Sequence, residues 1–166
     1  MLKTLHIENI AVIERADVEF SAGLSVLTGE TGAGKSIIID SLNAVLGNRV
    51  SRELVRSGAE RASVTASFES AQAERWCADN EIDADDGESI LQRRISTDGK
   101  STGRVNGVPV TASQLRELRA LLLDIHGQND GRQLLDERRH LDYLDAFGEC
   151  GEALAAYRET YDAYRA

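Results

Sequence analysis

Eight consecutive residues carry the clearest chemistry in this chain: Gly29, Glu30, Thr31, Gly32, Ala33, Gly34, Lys35 and Ser36. They fit the pattern glycine, any four residues, glycine, lysine, then serine or threonine. Glycines let a backbone bend tightly and turn its N–H groups onto phosphate oxygens. Lys35 adds a full positive charge for the outer phosphates. The Ser36 hydroxyl suits a Mg²⁺ that bridges them. Such a loop holds a nucleoside triphosphate, and ATP with Mg²⁺ is the expected ligand.

A self-sufficient enzyme built on such a loop also needs a carboxylate at the end of an apolar strand. Leu121-Leu122-Leu123-Asp124 offers one. With Asp124 as that Walker B acid, the chain would be a compact NTPase or kinase. Two features count against this. Ile125, not a second acid, follows Asp124, and a polar run, His126-Gly127-Gln128-Asn129, comes next. Elsewhere the chemistry is sparse. Cys77 and Cys150 form no disulfide framework, and His6, His126 and His140 lack metal-ligand spacing.

The elements around the loop suit it. Leu24–Thr28 reads as a short apolar strand running into Gly29, and from Lys35 the apolar positions Ile38, Leu42, Val45 and Leu46 follow a helical period until Gly47. Leu2–Glu8, Val12–Phe20 and Val64–Phe68 alternate as half-buried strands do. Ala71–Asn80 reads as a helix. Asp98-Gly99 joins Ser89–Ile95 to Ser101–Val105 as a hairpin, and Asn106-Gly107 turns the chain again before Val108-Pro109-Val110. Thr111 can cap a helix from Ala112 to about Leu118, and Leu121–Ile125 reads as a buried strand. After Asp130 the texture is helical. Leu154, Tyr157, Tyr161 and Tyr164 fall at heptad spacing, as if the chain ended inside a longer coiled coil.

The net charge of −9 sits mostly in one place. Residues 69–88 hold eight acids against Arg75 alone, a balance of −7, while the segments before and after each come to −1. A bulk electrostatic grip on DNA is not what this offers; a local patch, or another part of the molecule, would have to provide one. No apolar run approaches the length of a membrane span, and the first residues lack a signal-peptide core, so a cytoplasmic location is expected.

Several segments together resemble the head of the RecN family of bacterial DNA repair proteins. They are Leu5–Ile13, Thr28–Ser36, Ile39-Asp40-Ser41-Leu42, Leu46-Gly47-Asn48-Arg49, Val55–Ala59, Val105-Asn106-Gly107 and Ile125-His126-Gly127-Gln128. The resemblance runs from Met1 to about Leu144. That family is related to the structural-maintenance-of-chromosomes (SMC) ATPases. It implies an α/β fold: the N-terminal lobe of an ABC-type head over residues 1–150, with a mixed sheet around the loop strand, an antiparallel β part, and the start of a coiled-coil arm over 151–166. By the same resemblance Gln128 would contact Mg²⁺ and the attacking water, and one of Arg49, Arg52 and Arg56 would reach the γ-phosphate. The function implied is ATP-driven head engagement and DNA tethering in double-strand-break repair. The chain would be a homodimeric, nucleoid-associated protein lacking its second lobe, and inactive as an ATPase alone. A scaffold in which ATP is only a structural ligand is the alternative from another class.

Overall fold

The computed structural model describes residues 1–29, 34–83, 87–123, 125 and 140–165. The chain divides into two compact units, Met1–Asp124 and Ile125–Ala166.

The first unit is built on one antiparallel sheet of six strands: β1 (Leu2–Ile10), β2 (Ile13–Glu19), β3 (Arg61–Glu69), β4 (Glu88–Ser96), β5 (Ser101–Val105) and β6 (Val108–Val110). Their order across the sheet is β2-β1-β3-β4-β5-β6; three of the five connections are hairpins between neighbours, β1–β2, β4–β5 and β5–β6. The turns explain this. Gly99 and Gly107 both have positive φ, as the Asp-Gly and Asn-Gly pairs require. Strand alternation sets the two faces. Leu5, Ile7, Val64, Ala66, Leu91 and Ile95 point inward and are 0–1% exposed. His6, Thr65 and Gln92 lie side by side on the other face.

Three helices cover the inner face: α1 (Lys35–Val45), α2 (Ala71–Asp79) and α3 (Ala112–Leu122). α1 lies against β1, β3 and β4 through Leu42, Ala44 and Val45, and α2 lies against β4 and α3. α2 and α3 both begin on side-chain caps. Ser70 accepts from the Ala73 N–H, and Thr111 and Gln114 form a reciprocal capping box. Phe68, Leu46, Leu115 and Leu118 fill the space between the layers at 0% exposure.

Two expectations fail here. Leu24–Thr28 enters no ladder among the described residues; Leu24 is 91% and Val26 70% exposed. The sheet is therefore antiparallel throughout its described strands rather than mixed around the loop strand. A short apolar run becomes a strand only where a neighbour pairs with its backbone, and no described strand pairs with Leu24–Thr28. Leu121 and Leu122 are the end of α3, not the start of a strand. Leu115, Leu118 and Leu122 sit at i, i+3 and i+7, so the helix period extends through them.

The second unit holds α4 (His140–Phe147) and α5 (Gly151–Arg165). Tyr157 stacks on Tyr161 at 5.8 Å, and the Arg165 guanidinium lies over the Tyr161 ring. No helix among the described residues is long and apolar enough to cross a membrane.

Candidate functional site

Of the eight loop residues, Gly29, Gly34, Lys35 and Ser36 are described; Glu30, Thr31, Gly32 and Ala33 lie outside the described residues, as do Asp124 and Gln128. Gly34 is the N-cap of α1, with φ +119°. Only glycine adopts that backbone without strain, and glycine brings no side chain to occupy the first-turn N–H groups. In this the cap differs from Ser70 and Thr111, which both fill that role with a hydroxyl. The start of α1 thus carries no side-chain cap and turns the positive end of the helix dipole toward the loop.

The side chains add to this. The Lys35 ammonium folds back and donates to the Gly29 carbonyl, so the two ends of the loop close on each other. Ser36 is exposed beside it. These groups fit a phosphate anion: the amide end of a helix, an ammonium and a hydroxyl able to ligate a metal lie together at one helix end. A carboxylate ligand would instead need fewer donors, and a bare cation would be repelled.

The remaining candidates separate along the fold. A Cβ placed on Gly34 would stand 3.9 Å from Ile13 Cδ1, so the β1–β2 hairpin end packs at the head of α1. Arg56 belongs to that neighbourhood. Its N–H donates to the Asn9 carbonyl at 2.8 Å and its guanidinium pairs with Glu14 at 3.4 Å. Arg52 is exposed in a 3₁₀ turn at Arg52–Leu54. Arg49 follows the opposite end of α1. An eleven-residue helix is ~16 Å long, so Arg49 is far from the loop along that axis.

Sequence reasoning passed over one residue. β4 puts Arg93 on the inner face of the sheet, 5% exposed. The alternation Ser89, Leu91, Arg93, Ile95 was the available signal.

A family described as an AAA domain matches residues 4–150. The DNA repair protein RecN of Bacillus subtilis (strain 168) is 48% identical over 169 residues, covering 99% of this chain. The RecN of Haemophilus influenzae is 41% identical over 170 residues, again covering 99% of this chain. This chain spans 29% and 30% of the lengths of those two relatives. Among solved structures, the Smc head domain with a coiled coil and joint from Pyrococcus yayanosii superposes with a TM-score of 0.68 at 21% identity. That match covers 99% of this chain and 36% of the other. It shows that the fold is that of an SMC-type ATPase head. The chain belongs to the AAA domain family, as a RecN-like member of it.

Proposed function

We propose that this chain is the nucleotide-binding lobe of an ATP-driven head that acts in the repair of DNA double-strand breaks. The observation that carries the reading is the glycine-capped start of α1 with the Lys35 ammonium folded over it. The similarity to proteins named for DNA repair supplies the biological setting.

ATP with Mg²⁺ binds at Gly29–Ser36. The first-turn N–H groups of α1 and Lys35 hold the phosphates, Ser36 ligates the metal, and Gln128 orients the water. Bound nucleotide supplies the charge that two heads share when they engage, and its loss lets them part. A ligand that favours one arrangement of a two-state dimer is enough to drive such a cycle. A second lobe, contributed by the rest of a longer polypeptide, completes the site. DNA is held by that intact homodimer, and residues 151–166 begin its coiled-coil arm. Residues 1–166 alone bind ATP weakly and turn it over little.

Two substitutions test the division of labour. Lys35→Ala is expected to weaken ATP binding roughly a hundredfold by calorimetry, since a charge-assisted contact to phosphate is lost. Gln128→Ala should leave binding intact and slow turnover in the protein of the relatives' length. Unchanged ATP affinity in Lys35→Ala would overturn the site, and undiminished turnover in Gln128→Ala would remove Gln128 from it.

A further inference from the structure

Arg93 is a cation on the core face of a sheet. Its neighbours along the inner side of β4, Leu91 and Ile95, are 0% and 1% exposed. A guanidinium in such a place is costly unless an anion and hydrogen-bond acceptors compensate it. Its Nη2 donates to Ser101 Oγ at 2.8 Å. Its Nε, fully buried, has no acceptor among the described residues. Nor does any carboxylate among them pair with it. Burial pushes its pKa down, yet an arginine stays charged at neutral pH.

The guanidinium faces a cavity of about 420 Å³, whose wall includes Asn48, Arg49, Ser101 and Arg116. Three arginines from three elements, the loop after α1, β4 and α3, therefore line one cavity, and among the described residues none that lines it is acidic. Ala112, the first residue of α3, also lines it and brings the positive end of that helix. The Ser101 hydroxyl accepts from Arg93 and keeps its own hydrogen for another acceptor. Like charges gathered this way repel unless an anion sits among them. A planar guanidinium fork matches carboxylate and phosphate oxygens alike, but three such forks beside a helix N-terminus and a hydroxyl offer more donors than one carboxylate has oxygens to use, and so suit a phosphate group.

We propose that the Arg49–Arg93–Arg116 cavity binds a phosphate group, at a site separate from the Gly29–Ser36 loop. The whole length of α1 lies between them, since Gly34 opens that helix and Gly47, on the cavity wall, follows its end. The phosphate comes either from a free phosphorylated compound or from a nucleic-acid backbone. The second source would be the local patch that an acidic chain needs in order to hold DNA.

The test runs in a Lys35→Ala background, so that the loop contributes nothing. Inorganic phosphate, compared with chloride at equal ionic strength, is expected to raise the Tm of this parent. Arg93→Met should fold, because a hydrophobic side chain of similar length replaces an unpaired buried charge, and should lose the phosphate-dependent rise. Arg49→Ala and Arg116→Ala alter exposed side chains and serve even if Arg93→Met does not fold. Each should weaken phosphate binding roughly tenfold. A parent that ignores phosphate, or variants that respond as the parent does, would overturn the proposal. A short DNA duplex, followed by fluorescence anisotropy, distinguishes the sources. A roughly tenfold loss of duplex affinity with a shallower salt dependence in Arg49→Ala and Arg116→Ala assigns the phosphate to a nucleic-acid backbone. Unchanged duplex binding beside a lost phosphate response assigns it to a free compound.

Discussion

His6 shows how far a single side chain on the outer sheet face is determined by strand register. β1 and β2 pair so that His6 stands opposite Asp17, and its Nδ1 meets that carboxylate. Its Nε2 lies 3.1 Å from Glu8, two residues along the same strand and hence on the same face. The Ser63 hydroxyl and the Arg15 guanidinium hold the two carboxylates in turn. The hydrogen bond to Asp17 raises the imidazole pKa above its ordinary 6.5, and the hydrogen bond from His6 lowers those of Asp17 and Glu8. A raised histidine pKa means the folded state binds the proton more tightly. The stability it contributes is full below 6.5 and is lost as pH rises through the raised value. The carboxylates act the other way: their contribution is present above their ordinary range and is lost in acid. His6→Gln should therefore flatten the fall of Tm between weakly acid and alkaline pH. The change is a few degrees at most, because the groups are partly exposed. A slope identical to that of the parent in thermal denaturation would show that the pairing contributes nothing.

At the scale of elements, legibility followed the kind of signal. The hairpins were readable because Asp98-Gly99 and Asn106-Gly107 fix turn geometry locally, and α1 was readable because its apolar period is long. Leu24–Thr28 and Leu121–Leu122 were not, since a short apolar run fits a strand or a helix equally and only its neighbours decide. The loop was legible as a motif, whereas Arg93 was hidden by the habit of reading charge as surface. Gly47 was legible as a helix stop but not for what it carries. Its φ is +86°, and a Cβ there would come within 2.8 Å of both the Ala112 carbonyl oxygen and Leu115 Cβ. The end of α1 thus rests directly on the first turn of α3. Gly47→Ala should cost about 2–4 kcal/mol by urea denaturation, combining backbone strain with overpacking. Gly99→Ala is the control. Its φ is +84° with nothing within 4 Å, so only the strain of about 1 kcal/mol remains. Equal losses at the two positions would rule out the helix contact as the cause.

For the whole molecule, the decisive fact is that an apolar segment beside the Gly29–Ser36 loop is uncovered. Leu24, Val26 and Leu27 are 91%, 70% and 44% exposed, although the inner faces of the sheet are closed. Apolar surface left in water forgoes about 25 cal/mol per Å². The relatives are more than three times as long as this chain, so their remaining length can supply a covering strand. On our proposed reading that strand belongs to the second lobe, and it also satisfies the backbone of Leu24–Thr28. The consequence can be measured as a difference between two lengths of the same protein. In residues 1–166, Leu24→Ser with Val26→Ser should change stability by no more than about 0.5 kcal/mol, as exposed substitutions do. In the protein of the relatives' length the same pair should cost about 2–4 kcal/mol and weaken ATP binding, because two side chains leave a packed interface beside Gly29. Equal, small effects in both lengths would mean that nothing covers the segment, and the proposed second lobe would then have to reach the loop without it.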